Sequence, residues 1–255
     1  MSSRERHYPH ESGKESPHES ARATGHRVEE AGEHLREQVR EVIDEVKPKL
    51  RGWLHAATAP LTLIAGVVLI VLSPDAATRL GSTIFAASAL LLFTVSAVYH
   101  RGTWSPRVWA FLRRFDHANI FLLIAGSYTP FTLLLLEGRD RTVLLTVVWV
   151  GAGLGVLFRI FWAGAPRWLY TPIYIGLGWA AVFYAPEFVA STDNTVLTLM
   201  VVGGLLYTLG ALVYGLQRPD PWPTWFGFHE IFHTLTILAF VTHYVGVSIA
   251  TYSLR

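Results

Sequence analysis

Seven runs of about twenty mostly apolar residues, with at most one Asp, Glu, Lys or Arg in each, occupy this 255-residue chain from Trp53 onward. They fall approximately at Trp53–Ser73, Leu80–His100, His117–Leu136, Val143–Trp162, Leu169–Val189, Val196–Gly215 and Phe228–Ala250. A helix needs roughly 20 apolar residues to cross a bilayer, and backbone polar groups in hydrocarbon must be satisfied within the segment. The expected fold is therefore all-α, an integral membrane bundle of seven transmembrane helices. Charged residues make up only 16% of the chain, against about a quarter in an ordinary soluble domain, which excludes a fully water-facing surface. Pro, Gly, Asp or Arg marks most of the short connections. Internal glycines (Gly151, Gly153, Gly155) and Pro172 suit close helix packing in lipid.

Before the first run the character is different. Residues 1–26 are rich in Ser, His, Glu, Arg and Pro, with a near-repeat at Pro9-His10-Glu11-Ser12 and Pro17-His18-Glu19-Ser20. This composition buries no apolar surface and is read as a disordered, solvated tail. Residues 27–50 are read as an amphipathic juxtamembrane helix, because Val28, Ala31, Leu35, Val39, Val42, Val46 and Leu50 recur every three or four positions. Pro48 is expected to break or kink it. Residues 51–255 form the transmembrane domain. No short apolar stretch with a small-residue cleavage site stands near Met1, so the first membrane helix is the expected targeting signal.

Lysine and arginine near the span ends set the orientation. With the N-terminus inside, the inner flanks hold Arg36, Arg40, Lys47, Lys49, Arg51, Arg101, Arg107, Arg113, Arg114, Arg167 and Arg218. The outer flanks hold only Arg79, Arg139, Arg141 and Arg255, so a cytoplasmic N-terminus in the cell membrane is expected. Trp53, Trp104, Trp109, Trp162, Trp168, Trp222 and Trp225 all fall at the inner ends, an interfacial belt on one side. A net charge of +2 with scattered basic residues leaves no nucleic-acid footprint; membrane lipids are the expected partners.

The chain has no cysteine, so disulfides and thiolate metal sites are excluded, and any zinc ligands must be His, Asp or Glu. Ionisable groups inside apolar spans are costly and mark function. His100 ends the second span, Asp116 stands at the mouth of the third, and His229 and His233 open the seventh. In the N-in orientation all four lie at one depth. His229 and His233 are four apart and project from one helix face, as do Ser96 and His100. Three neutral imidazoles with an open fourth position are a catalytic zinc arrangement, in which Asp116 takes or orients the water's proton and Ser96 supports from behind. His55, His117 and His243 are read as structural hydrogen-bonding residues. His243, about 15 Å further along the helix than His233, cannot share an ion with it. Arg159 and Glu187, near span ends, are expected to snorkel.

His229-Glu230-Ile231-Phe232-His233 also fits the H-E-x-x-H metalloprotease pattern, with Glu230 as base. Glu230 is rotated about 100° from its neighbour His229, and no third ligand follows at a compatible depth. The protease is the weaker reading.

Three stretches carry a family resemblance: Ser96-Ala97-Val98-Tyr99-His100; Asp116-His117-Ala118-Asn119-Ile120 running into Ile124-Ala125-Gly126-Ser127-Tyr128-Thr129-Pro130; and His229-Glu230-Ile231-Phe232-His233 with Phe240-Val241-Thr242-His243-Tyr244-Val245-Gly246. Over about residues 50–250 the chain resembles the hemolysin III family, the bacterial branch of the progestin and adiponectin receptor superfamily. The resemblance implies a seven-helix bundle with its N-terminus inside and zinc near the cytoplasmic face. It implies His100, His229 and His233 as ligands, with Asp116 and Ser96 beside the zinc-bound water. Receptor members often carry glutamine at the position of Glu230, which argues against a base there. The superfamily is similar to hydrolases of lipid amides such as ceramide. Three functions follow as expectations. The first is a zinc-dependent hydrolase of membrane lipid amides or esters, and the second a non-catalytic membrane sensor with a structural zinc. The third is a cytolytic hemolysin, which seven apolar spans without a polar lumen fit poorly.

Overall fold

The structure, a computed structural model, describes residues 48–162 and 164–254. The tail and the greater part of the expected amphipathic helix lie outside the described residues; Pro48 to Gly52 form turns that lead into the first membrane helix. Eight α-helices follow. They are α1 (Trp53–Leu72), α2 (Ala76–Arg101), α3 (Pro106–Leu135), α4 (Gly138–Phe161), α5 (Arg167–Gly178), α6 (Ala185–Ser191), α7 (Asn194–Leu216) and α8 (Phe228–Tyr252), with a 3-10 segment at Ala180–Tyr184. Together α5, the 3-10 segment and α6 make one span, Arg167–Ser191, and among the described residues seven helices are long and apolar enough to cross a membrane. It is an all-α, multi-pass membrane protein.

Local chemistry starts and stops these helices. The Asp75 carboxylate accepts from the N–H groups of Ala77 and Thr78 and so caps α2. Pro106 opens α3 behind Ser105, where a missing N–H costs nothing. This start lies well before the expected one at His117. The helix continues below the apolar run through Arg107, Arg113 and Arg114, so Asp116 and His117 stand inside it rather than at its mouth. Charged residues end a hydropathy run without ending a helix.

The fifth span is broken in mid-course. One side chain pairs two of its backbone groups: the Tyr128 hydroxyl accepts from the Ala181 N–H at 2.9 Å and donates to the Gly178 carbonyl at 2.6 Å, while the Trp179 and Val182 N–H groups bond to backbone carbonyls. The break lies on the outer side of the bundle, with Trp179, Val182 and Phe183 exposed, so this pairing matters because unpaired backbone groups are costly in a membrane.

Phenylalanines from three helices make the centre of the core. Phe85 and Phe93 of α2 pack against Phe240 of α8 at centroid distances of 5.2 and 5.4 Å, and Phe121 and Phe131 of α3 are buried in the same core. The inner helices α2, α3 and α8 are therefore held together at mid-span. Their ends nearest Gly52 carry the polar residues described next. The seven tryptophans expected as a belt are all exposed.

Candidate metal centre

His100 lies in the last turn of α2, and His229 and His233 lie in the first two turns of α8. One ligand atom from each falls within 4.8 Å of the other two. His100 Nε2 and His229 Nε2 are 3.2 Å apart. Two nitrogens on one tetrahedral zinc, each at about 2.05 Å, are about 3.3 Å apart, so this pair already stands at the separation that such an ion imposes. Three imidazoles suit zinc, whereas magnesium and calcium prefer oxygen donors. The set can hold a metal ion.

Asp116 joins from α3. Its Oδ2 is 3.8 Å from His100 Nε2, and Ser96, one turn before His100 on α2, is the hydrogen-bonding neighbour of its carboxylate. The four residues placed at one depth by spacing, together with Ser96, do come together in space.

His55 of α1 is the residue that spacing missed. Its imidazole is 2% exposed and stacks on His233 with centroids 3.8 Å apart and planes 16° from parallel. Phe93 packs edge-on against the same ring at 5.0 Å. Stacking, rather than a hydrogen bond in isolation, is what places it; nothing in the chain order puts the first span against the seventh. His117 and His243 behave as expected of structural histidines. His117 contacts the Arg113 carbonyl at 2.6 Å and the Tyr214 hydroxyl at 2.8 Å, and His243 contacts the Met200 carbonyl at 3.2 Å. Arg159 corrects the snorkelling expectation: it is 2% exposed and its guanidinium lies 4.4 Å over the Tyr170 ring, because its side chain faces the bundle interior. Glu187 is exposed.

A cavity of about 240 Å³ runs inward from the histidines. His55, Ser96, Asp116, His229 and His233 line one end, and Phe131, Leu197, Met200 and His243 line the other. From His233 to His243 is ten residues of helix, about 15 Å. The cavity thus carries His, Asp and Ser at one end and a mixture of aliphatic, aromatic and hydroxyl side chains along the rest of its wall.

Glu230 does not face this cavity. It is fully buried, with Oε1 2.9 Å from Arg51 Nε and Oε2 accepting the Gly227 N–H at 2.9 Å. Both oxygens are engaged away from the histidines, which disposes of the metalloprotease reading of His229-Glu230-Ile231-Phe232-His233.

The family model described as Haemolysin-III related matches residues 44–244, a stretch that contains every site residue named above. The chain belongs to the haemolysin-III related family. It is similar to the hemolysin-3 homolog of Bacillus subtilis (strain 168), 34% identical over 155 residues that cover 61% of this chain and 70% of that one. Similarity to hemolysin-3 of Bacillus cereus is 29% over 184 residues, 71% of this chain and 84% of the relative. The adiponectin receptor protein of Drosophila melanogaster is 27% identical over 181 residues, covering 64% of this chain and 41% of the receptor. The family match in this haemolysin-III related protein includes the turn at Pro48 to Gly52.

Proposed function

We propose that this protein is a zinc-dependent hydrolase of the cell membrane that cleaves an amide or ester bond in a membrane lipid. The N-terminus is cytoplasmic in this reading, which puts the site under the inner headgroups; the excess of basic residues and the tryptophan belt at that end support it. One observation carries the proposal. A three-imidazole cluster has a carboxylate beside it, and His229, His233 and Asp116 line one end of a cavity with a largely apolar wall.

His100, His229 and His233 would hold the ion, and zinc in such a set supplies Lewis acidity and an acidified water. Asp116 accepts the proton of the attacking water and returns it to the departing amine or alkoxide. Ser96 keeps the carboxylate turned toward the His100 side of the site. Leu92, Ile120, Ile124 and Phe131 give the acyl chain an apolar bed, so the carbonyl lies at the histidine end of the cavity and the chain along these residues. Asn, Gln or backbone groups are not needed for this placement, because depth in the bilayer already sorts headgroup from tail.

A second reading is a sensor in which zinc only staples α2 to α8. The same 3.2 Å approach of His100 and His229, residues 129 apart in the chain, favours it. Turnover separates the two. Purified protein is incubated with ceramides, other N-acyl lipids and phospholipid esters, and released fatty acid is measured. Hydrolysis lost on zinc removal and reduced about 100-fold or more by Asp116→Ala supports the hydrolase. Zinc-loaded protein that cleaves none of the panel, or hydrolysis indifferent to Asp116→Ala, overturns it and leaves the sensor.

A further inference from the structure

The turn before α1 is tied to the histidine-bearing end of the bundle at every residue from Lys49 to Gly52. Lys49 N–H donates to the Thr224 carbonyl at 3.0 Å, and Leu50 N–H to the Trp225 carbonyl at 3.3 Å. The Lys49 ammonium lies 4.4 Å over the Trp225 ring. Thr224 and Trp225 belong to the loop that leads into α8, so this main-chain pairing holds the entry to the helix bearing His229 and His233. Arg51 then reaches Glu230, which stands between those two histidines in the chain. Gly52 closes the arrangement against His100: it has φ +80°, and a Cβ there would be 2.7 Å from His100 Cβ. Arg101, beside His100, lies over Trp53 at 4.0 Å. The stretch from Lys49 to Trp53 thus reaches α2, α8 and the loop that leads into α8.

The ion pair is half-buried, with Arg51 23% exposed and Glu230 wholly enclosed. Glu230 is fully buried, and its second oxygen caps the start of α8 through the Gly227 N–H. Asp220 accepts the next N–H, that of Phe228, at 2.9 Å. A carboxylate held in this way fixes the rotation of the first helical turn, and with it the direction of His229 and His233. If Arg51 is removed, a buried charge loses its partner and the turn must rearrange or take up water.

We propose that residues 48–52 are a strap that positions the histidines, with Glu230 as its positioning residue and Arg51 as the closing contact. The cation affinity of His100, His229 and His233 is then set in part by residues that never touch the cation. This inference rests on the zinc reading above. Partners that orient metal ligands from outside the first ring of contacts typically change affinity about 10- to 100-fold when removed, and the strap belongs in that range.

The test uses the full chain in detergent micelles, with zinc affinity measured by competition against a chromophoric chelator. Cobalt absorption serves as a second readout of ligand geometry. Arg51→Gln, which strands the buried carboxylate, is expected to weaken zinc about 10- to 100-fold. Arg51→Gln combined with Glu230→Gln is expected to bind tighter than Arg51→Gln alone, because an amide pair leaves no unpaired charge. Gly52→Ala, which strains the turn and pushes on His100 and Arg101 while keeping both partners of the ion pair, is expected to weaken zinc and alter the cobalt spectrum. A purely structural role would lower the melting temperature of the metal-free protein and leave the affinity of the folded fraction unchanged. Wild-type affinity in folded Arg51→Gln and Gly52→Ala overturns the strap alone; if Arg51→Gln fails to fold, the zinc affinity of Gly52→Ala decides between the two outcomes. Wild-type protein that takes up no zinc overturns the metal reading and the strap with it.

Discussion

Gly126 of α3 gives the sharpest test of how the site-bearing helices are spaced. At this position α2 and α3 approach so closely that an added Cβ would lie 2.7 Å from Ser88 Cβ and closer still to Ser88 Oγ. Carbon atoms in contact rest about 3.5–4.0 Å apart, so Gly126→Ala must push the helices apart locally by about 1 Å. Overpacking of this kind costs about 1–3 kcal/mol. The Ser88 hydroxyl can rotate away from its bond to the Phe85 carbonyl, but its Cβ cannot move without the helix. The next atom in line is the Ile84 carbonyl oxygen at 3.4 Å, an ordinary contact. Ser88→Gly should therefore rescue Gly126→Ala. Alone it should cost about 1 kcal/mol as a glycine in a helix. Thermal unfolding in micelles, followed by the loss of monodisperse protein on heating, measures the four-member cycle. A favourable coupling of about 1–2 kcal/mol between the two substitutions is expected. Gly126→Ala as stable as wild type, or a double variant no better than the sum of its parts, refutes the close crossing.

Two further outcomes follow from particular hydrogen bonds. Tyr128→Phe removes the one hydroxyl that serves both the Gly178 carbonyl and the Ala181 N–H, and should cost about 1–3 kcal/mol in micelle unfolding; no loss would mean that the break in the fifth span is satisfied by other groups. At the opposite end, hydrogen bonds from Thr78 hold the Asp75 carboxyl below the usual carboxylate range. A group whose folded pKa is depressed stabilises fully above its ordinary value and loses that contribution as pH falls through the folded one. The stability difference between wild type and Asp75→Ala should therefore shrink on acidification, and a difference constant with pH would contradict the cap.

Spacing alone is enough to find most of the molecule. Each of the seven spans is announced by its length of apolar sequence, and the four-residue steps from His229 to His233 and from Ser96 to His100 place side chains on single faces before any tertiary contact is known. What stays hidden depends on which helices become neighbours. His55 reads as one more interfacial histidine until α1 is seen to lie against α8, where the ring stacks on His233. Arg159 reads as a span-end residue because hydropathy reports depth and not the direction a side chain takes around the helix. The pairing of Arg51 with Glu230 spans 179 positions and has no local signature. The break of the fifth span is partly visible in Gly176, Gly178 and Pro186, but its completion by Tyr128 is not.

The central claim is that imidazoles from α2 and α8 share one zinc ion. Elemental analysis of the purified protein, wild type beside His229→Ala, tests it most directly. The account predicts about one zinc per chain in the wild type and a large loss in the variant, with helical content unchanged. Equal metal content in the two proteins, or none in the wild type after incubation with zinc and removal of excess, would contradict it.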